Sequence, residues 1–250
     1  METNKKIDIT VAVPTYDSKN ILWLQLESLC RQVTQYNWEL IVCEEHIANY
    51  CGKEYILQYE DRLKKAGCKN IIYIPLTEKI PLSKKWVVIA NKSKGNTFIL
   101  AASDNYSSPD RLEISHKKIL EGYDWFDVGT GLFLHLPSFT NATYTNNPGE
   151  TGLFMTTKTD LIKKLKGPWP NSRIDIWIRQ QLNILKRYRH PNPVLGLHTD
   201  GENKISIGRK NQYVNGKYGR YFKKSIQHIN DILPLDVLNK LNRKFNFEKI

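Results

Sequence analysis

This chain is poor in the devices that staple small folds and in those that mark the commonest nucleotide sites. It has four cysteines, Cys30, Cys43, Cys51 and Cys68, with no CxxC spacing and three of them in or beside apolar segments. They read as reduced packing residues, not as a disulfide or zinc framework. No stretch approaches the roughly 18 to 20 apolar residues that span a bilayer, and METNKKIDI is too polar for a secretory signal. The expectation is a soluble, cytoplasmic protein without a transmembrane segment, peripheral to a membrane at most, or in the host cytoplasm if the source is viral. Neither GxGxxG nor GxxxxGK[ST] occurs, which argues against a dinucleotide fold or a P-loop. Repeats, low-complexity linkers and the signatures of helix-turn-helix, zinc-finger or RNA-binding modules are absent too.

What the chain does have is a core and a lopsided charge. Its 250 residues, 40% apolar and 11% aromatic, suit one large α/β domain, or a domain with an appendage. Residues 158–224 hold 16 Lys/Arg against 4 Asp/Glu, while the rest of the chain balances at 21 against 21. The whole excess of +12 therefore lies in the second half and suggests a surface that meets an anionic partner: nucleic acid such as DNA, an anionic membrane face, a phosphorylated or acidic glycan, or the diphosphate of a substrate.

Strand and helix patterns alternate over the first 120 residues, as in a parallel sheet wrapped by helices. Ile7–Val13 (IDITVAV) reads as a buried strand ended by Pro14-Thr15-Tyr16-Asp17, and Trp38–Cys43 as a second ended by Glu44-Glu45. Further strands are expected at 70–74 and 96–101, and helices over 20–35, 53–66 and 82–93. The apolar run FILAA stops at Ser103, Asp104 and Asn105. Polar groups at three successive strand ends would line one rim of a parallel sheet, the place where such folds bind ligands. On its own residues the last end is equally a turn, with Ser108 as N-cap and Pro109 at the first helical position. Beyond residue 122 we expect short strands near 126–128, 131–136 and 152–156, a loop over 137–150, helices over 159–166 and 173–188, turns over 191–207, and two short C-terminal helices.

ITVAVPTYDS, ELIVCEE, KGNTFILAASDN and SDNYSSPDRL, in that order, resemble the inverting family-2 glycosyltransferases of GT-A fold over roughly residues 7–207. The resemblance implies an α/β, Rossmann-like architecture with a mostly parallel central sheet flanked by helices. It implies a nucleotide-sugar-binding half over 1–122, an acceptor-binding half of the same domain over 123–207, and a small helical extension over 208–250. It implies transfer of a sugar from a nucleotide sugar, a UDP-sugar by preference, to an acceptor hydroxyl with inversion. Carried over by position, Pro14, Thr15, Tyr16, Glu44, Glu45, Ser103 and Asp104 would bind the donor. A carboxylate suits the base or ribose because it accepts from N–H and O–H groups.

Asp104 would hold a divalent ion, Mn²⁺ or Mg²⁺, on the donor diphosphate, with His198 completing the shell. Ser103 departs from the pattern, since many members carry a further Asp there. Lys84 or Lys85, near a position where relatives often have Ala-Arg-Asn, would supply positive charge to the diphosphate. Asp175, the only acid between Asp160 and Asp200, would be the general base; its alternative role is an acid favoured by a helix N-terminus. Glu150, Thr151, Gly152, Trp169 and Arg173 would face the acceptor, and Trp169 and Trp177 are as well suited to a core. A glycan or lipid-linked sugar is the expected acceptor. The alternatives are a phage-type enzyme acting on hydroxymethylated bases in DNA, and a non-catalytic binding module on a degenerate fold.

Overall fold

A computed structural model describes residues 6–45, 51–135, 140–145, 153–170, 174–182, 186–191, 196–200, 222–224 and 232–245; at Asp175 and His198 it describes the backbone alone. The first part of the chain runs β1 (Ile9–Thr15), α1 (Leu22–Leu29), β2 (Trp38–Glu44), α2 (Gly52–Lys65), β3 (Cys68–Pro75), α3 (Leu82–Lys92), β4 (Thr97–Leu100), β5 (Asn105–Ser107) and α4 (Arg111–Leu120). It continues through β6 (Trp125–Val128), β7 (Thr130–His135), β8 (Thr140–Thr145), β9 (Leu153–Lys158), α5 (Thr159–Lys163), α6 (Ile174–Leu182), β10 (Arg187–His190), β11 (Gly196–Asp200), β12 (Phe222–Lys224) and α7 (Leu235–Phe245).

A seven-stranded sheet in the order β10-β6-β9-β4-β1-β2-β3 forms the centre. Pairing is parallel from β4 through β1 and β2 to β3, and β9 runs antiparallel to both β4 and β6. Strands from beyond residue 122 thus complete the sheet begun by the first half. A second sheet, β12-β8-β7-β11-β5, takes up the chain where it leaves the first.

β1 (ITVAVPT) and β2 (WELIVCE) are buried along their whole length, as parallel strands covered on both faces must be. The period of two divides their side chains between two cores. Ile9, Val11, Val13, Leu40 and Val42 face α1, α2 and α7, where Trp23, Leu26, Tyr59, Leu63, Val237 and Leu241 pack. Ala12, Ile41, Cys43 and Phe98 face α3, α5 and α6 through Trp86, Ile89, Ile162, Ile174 and Ile178. α1 is buried on every side, so its polar residues must be satisfied internally.

One buried acid in this core is structural. Glu39, fully buried on β2, accepts from Thr10 Oγ1 at 2.8 Å, the Lys94 N–H at 2.6 Å, the Gly95 N–H at 3.3 Å and Asn70 Nδ2 at 3.1 Å. It thereby ties the α3–β4 connection to the N-terminal ends of the central strands. A Cβ on Gly95 would lie 2.5 Å from the Ile9 carbonyl carbon and 2.6 Å from the Thr10 nitrogen, so the backbone approach there admits only glycine.

Several expectations change beyond residue 100. The span 137–150 contains β8 where a loop was expected, and 191–207 contains β11. The helix expected over 173–188 ends at Leu182, followed by β10. The C-terminus holds one described helix, α7, and a strand, β12, paired with β8; Ile226 and Ile229 lie outside the described residues. Among the described residues no helix is long and apolar enough to cross a membrane.

Replacing Gly95 by Ala is expected to lower unfolding free energy by about 2 kcal/mol in a urea titration, the scale of overpacking a rigid backbone contact. The cysteines are free, and burial pushes Cys43, Cys51 and Cys68 up to about 12 and Cys30 up to about 11. At pH 8 a thiol of pKa about 12 is thiolate in only about one molecule in ten thousand. Thiol titration of the native protein is therefore expected to be slow at all four positions and rapid after denaturation.

Candidate active site

The parallel registers put three strand ends on one rim. Thr15 lies opposite Glu44, the Glu45 N–H donates to the Thr15 carbonyl at 3.1 Å, and the Ala101 N–H donates to the Ala12 carbonyl at 2.8 Å. At this rim Lys85, on the first turns of α3, is 2% exposed and Glu45 is 3% exposed. Lys85 Nζ pairs with Glu45 Oε2 and donates to the Thr15 carbonyl at 3.3 Å. The other carboxylate oxygen, Glu45 Oε1, is buried without a hydrogen-bond partner, and so is Thr15 Oγ1. An unmet buried acceptor costs on the order of 1–3 kcal/mol. The site thus presents an acceptor and a hydroxyl beside a buried cation. Tyr16, half-buried, stands over them, with Lys79 Nζ 5.2 Å and Lys85 Nζ 5.8 Å from its ring centroid. Pro14 is buried within β1 itself.

The neighbouring acid has a different occupation. Glu44 Oε1 accepts from the Cys51 N–H at 3.1 Å, and Oε2 accepts from the Gly52 N–H at 2.8 Å and Tyr73 Oη at 2.6 Å. It holds the N-terminus of α2, where the helix dipole favours a carboxylate, and both of its oxygens are engaged there. Lys84 and Lys85 divide in the same way, for Lys84 is exposed and Lys85 is buried.

Ser103 and Asp104 lie in the turn from β4 to β5. Ser103 Oγ is 2.8 Å from Ser18 Oγ, which itself donates to the Tyr16 carbonyl at 3.1 Å. The carbonyl of Ser18 accepts from the first N–H groups of α1, so this serine locks the β1 loop to the Asp104 turn. Gln25, fully buried on α1, braces the same turn. With its amide nitrogen turned toward oxygens, it donates to the Ala102 and Asn105 carbonyls, each at 3.0 Å. Sequence reading missed both residues, although a glutamine inside the apolar helix LWLQLESL is a signal that something polar must be met.

Asp104 is half-buried on the rim, and the Asn105 Oδ1 beside it is buried without a partner. Antiparallel pairing of β5 with β11 sets His198 directly opposite Asn105, one residue from Asp104. The oxygen donors of Asp104 and Asn105 are of the kind that suits a hard divalent cation. Among the described residues no group of three His, Cys, Asp or Glu side chains is gathered as a metal site.

Asp175 is the second residue of α6, and Trp177 on that helix meets Trp169 edge to face at 5.8 Å between centroids. Ser83 Oγ, two residues from Lys85, donates to the Pro170 carbonyl at 3.0 Å and joins α3 to this segment. Glu150, Thr151, Gly152 and Arg173 lie outside the described residues. β9 follows directly, and Phe154 within it has φ +55°. Such strain in a non-glycine residue tends to gather at functional sites.

The fold resembles S. aureus TarS 1-349 in complex with UDP-GlcNAc, with a TM-score of 0.60, 14% identity, and coverage of 98% of this chain and 68% of that one. The same protein in complex with UDP matches at a TM-score of 0.59 and 16% identity, over 78% of this chain and 61% of that one. The mannosyltransferase PcManGT from Pyrobaculum calidifontis, in complex with GDP-Man and Mn²⁺, matches at 0.57 and 14% identity, over 80% of this chain and 59% of that one. This chain therefore spans about three fifths of the UDP-bound TarS and PcManGT chains. A comparison with curated proteins found no match. The family model for glycosyl transferase family 2 matches residues 10–162, well over half of the sequence and all three polar strand ends, and the chain belongs to that family.

Proposed function

We propose that this transferase moves a sugar from a UDP-sugar to an acceptor hydroxyl with inversion. The observation that carries the reading is the buried Lys85–Glu45 pair, with Glu45 Oε1 left open beside Thr15 Oγ1. Uracil offers one N–H flanked by two carbonyl oxygens. An acceptor next to an ammonium matches that edge: Glu45 Oε1 accepts the N–H, and Lys85 donates to a flanking carbonyl. Guanine presents two adjacent N–H donors and needs two acceptors, but Lys85 holds the second carboxylate oxygen. Tyr16, between two lysines, would cover the base or ribose.

Asp104, with His198 one residue away across the β5–β11 pairing, would hold a divalent ion, and Ser103 keeps its turn in place. The ion would supply Lewis-acid neutralisation of the diphosphate. Asp175 takes the proton of the acceptor hydroxyl as that oxygen bonds to the anomeric carbon. The bond from that carbon to the diphosphate oxygen breaks, and UDP leaves with the electron pair. A place in the first turn of α6 favours the ionised carboxylate that a base requires. The Trp169–Trp177 pair packs against the second core and is only partly buried there, and what it leaves exposed favours a glycan or lipid-linked sugar as acceptor, since aromatic faces suit the apolar faces of sugar rings.

Calorimetric titration is expected to show UDP binding at least tenfold more tightly than GDP. In Glu45→Gln, Lys85 should keep the amide oxygen and turn the amide nitrogen toward the base, so that donor meets donor. UDP affinity is then expected to fall at least tenfold while CDP, whose ring nitrogen accepts, gains relative to it. Equal binding of UDP and GDP by the parent would refute the base assignment. Asp175→Asn is expected to lower kcat by about 10²- to 10⁴-fold, with UDP affinity unchanged. A variant that turns over at the parental rate would remove Asp175 from the chemistry.

A further inference from the structure

Arg111 opens α4 and is out of place by every local rule. It is a cation at a helix N-terminus, where the partial charge is already positive, and it is 1% exposed. Among the described residues no carboxylate pairs with it, and its Nε has no hydrogen-bond partner. Burial alone pushes its pKa down to about 9. A hydrocarbon of similar volume would be the less costly occupant of such a place.

Its contacts show what the cation does there. Nη1 donates to Ser107 Oγ at 2.8 Å, and Nη2 donates to the Leu100 carbonyl. Leu100 is the last residue of β4 and Ser107 the last of β5, so one planar group bridges the two ends of the excursion that carries Ser103 and Asp104. The guanidinium carbon also stands 4.8 Å from the centroid of Phe154, the residue with φ +55° that follows the acceptor-side segment 150–152. Three chain segments, from the two sheets and from both halves of the site, converge on one side chain.

We infer that Arg111 is a positioning residue for the cation and diphosphate site. Its two-pronged donation fixes the span of the Leu100–Ser107 excursion and so sets where Asp104 is presented. Its cation–π contact fixes the Phe154 bend against the same point. The inference rests on the proposed role of Asp104. Lysine cannot substitute, because an ammonium is a point charge without a planar fork.

The test measures UDP affinity calorimetrically, in EDTA and in Mn²⁺, together with the thermal midpoint, for the parent, Arg111→Met, Arg111→Lys and Asp104→Asn. For Arg111→Met the midpoint is expected within about 4 °C of the parent, and UDP affinity in EDTA within twofold. The gain in UDP affinity on adding Mn²⁺ is expected to fall at least tenfold. Arg111→Lys should lose that gain equally, and it decides the matter if the methionine variant does not fold. A Mn²⁺-dependent gain retained by either folded variant overturns the inference. So does an equal loss of UDP affinity with and without metal, which would mark Arg111 as a general structural brace. If Asp104→Asn keeps the gain, the metal role of Asp104 fails. If Asp104→Asn abolishes it while both Arg111 variants keep it, the inference about Arg111 fails alone.

Discussion

The site depends on the parallel hydrogen bonding of β1 along both of its edges. Because β1 is paired with β2 on one side and β4 on the other, its register fixes the height at which three loops leave the sheet. A one-residue slip would invert the side chains of a strand buried on both faces and exchange its two cores, so the register is heavily specified. The Thr15–Glu45 and Ala12–Ala101 backbone bonds carry that register past the last paired residues and into the loops. At the opposite end of the strands, Glu39 and the close approach at Gly95 seat the α3–β4 connection against Ile9 and Thr10.

β2 also illustrates how environment sorts chemically equal groups. Glu39, Glu44 and Glu45 are all buried, yet they answer to different partners. Backbone N–H groups of the α3–β4 connection and side chains of the neighbouring strands surround Glu39. The N-terminus of α2 and a tyrosine hydroxyl take both oxygens of Glu44. Glu45 meets a single lysine from α3 and keeps one oxygen unmet. The acid proposed to bind the donor base is thus the one that the fold leaves incompletely satisfied, an exception to the rule that buried polar groups find partners.

This sorting explains what was legible in the sequence. The apolar runs at Ile9–Thr15, Trp38–Glu44 and Thr97–Leu100 announce strands because burial on both faces demands uninterrupted hydrophobicity. β5 (NYS), β8 (TNATYT), β10 (RYRH) and β11 (GLHTD) carry no such pattern. They are short and polar, and pairing with distant partners, not composition, makes them strands. Glu44 and Glu45 are indistinguishable as adjacent acids, because only the location of α2 assigns their faces. Lys84 and Lys85 were separable. Lys85 lies three residues after Leu82 and four before Ile89, on the stripe that enters the core, and helical periodicity alone marks it as the inward lysine. Arg111 carried no signal in the sequence, where arginine in the first turn of a helix reads as a solvated charge.

β4 belongs to the seven-stranded sheet and β5 to the five-stranded one. The crossing takes place between Leu100 and Asn105, which makes Asp104 a resident of the crease between two layers and of neither layer. A carboxylate built into the middle of a sheet moves only with that sheet, whereas one on a crease reports the angle between the two. Flexing of one layer against the other would bear on Asp104 through the Ser18, Gln25 and Arg111 contacts that hold its turn. Alignment of the reacting groups tolerates about an ångström or less. The crease is therefore where the proposed transferase would be easiest to tune, or to stop, from a distance.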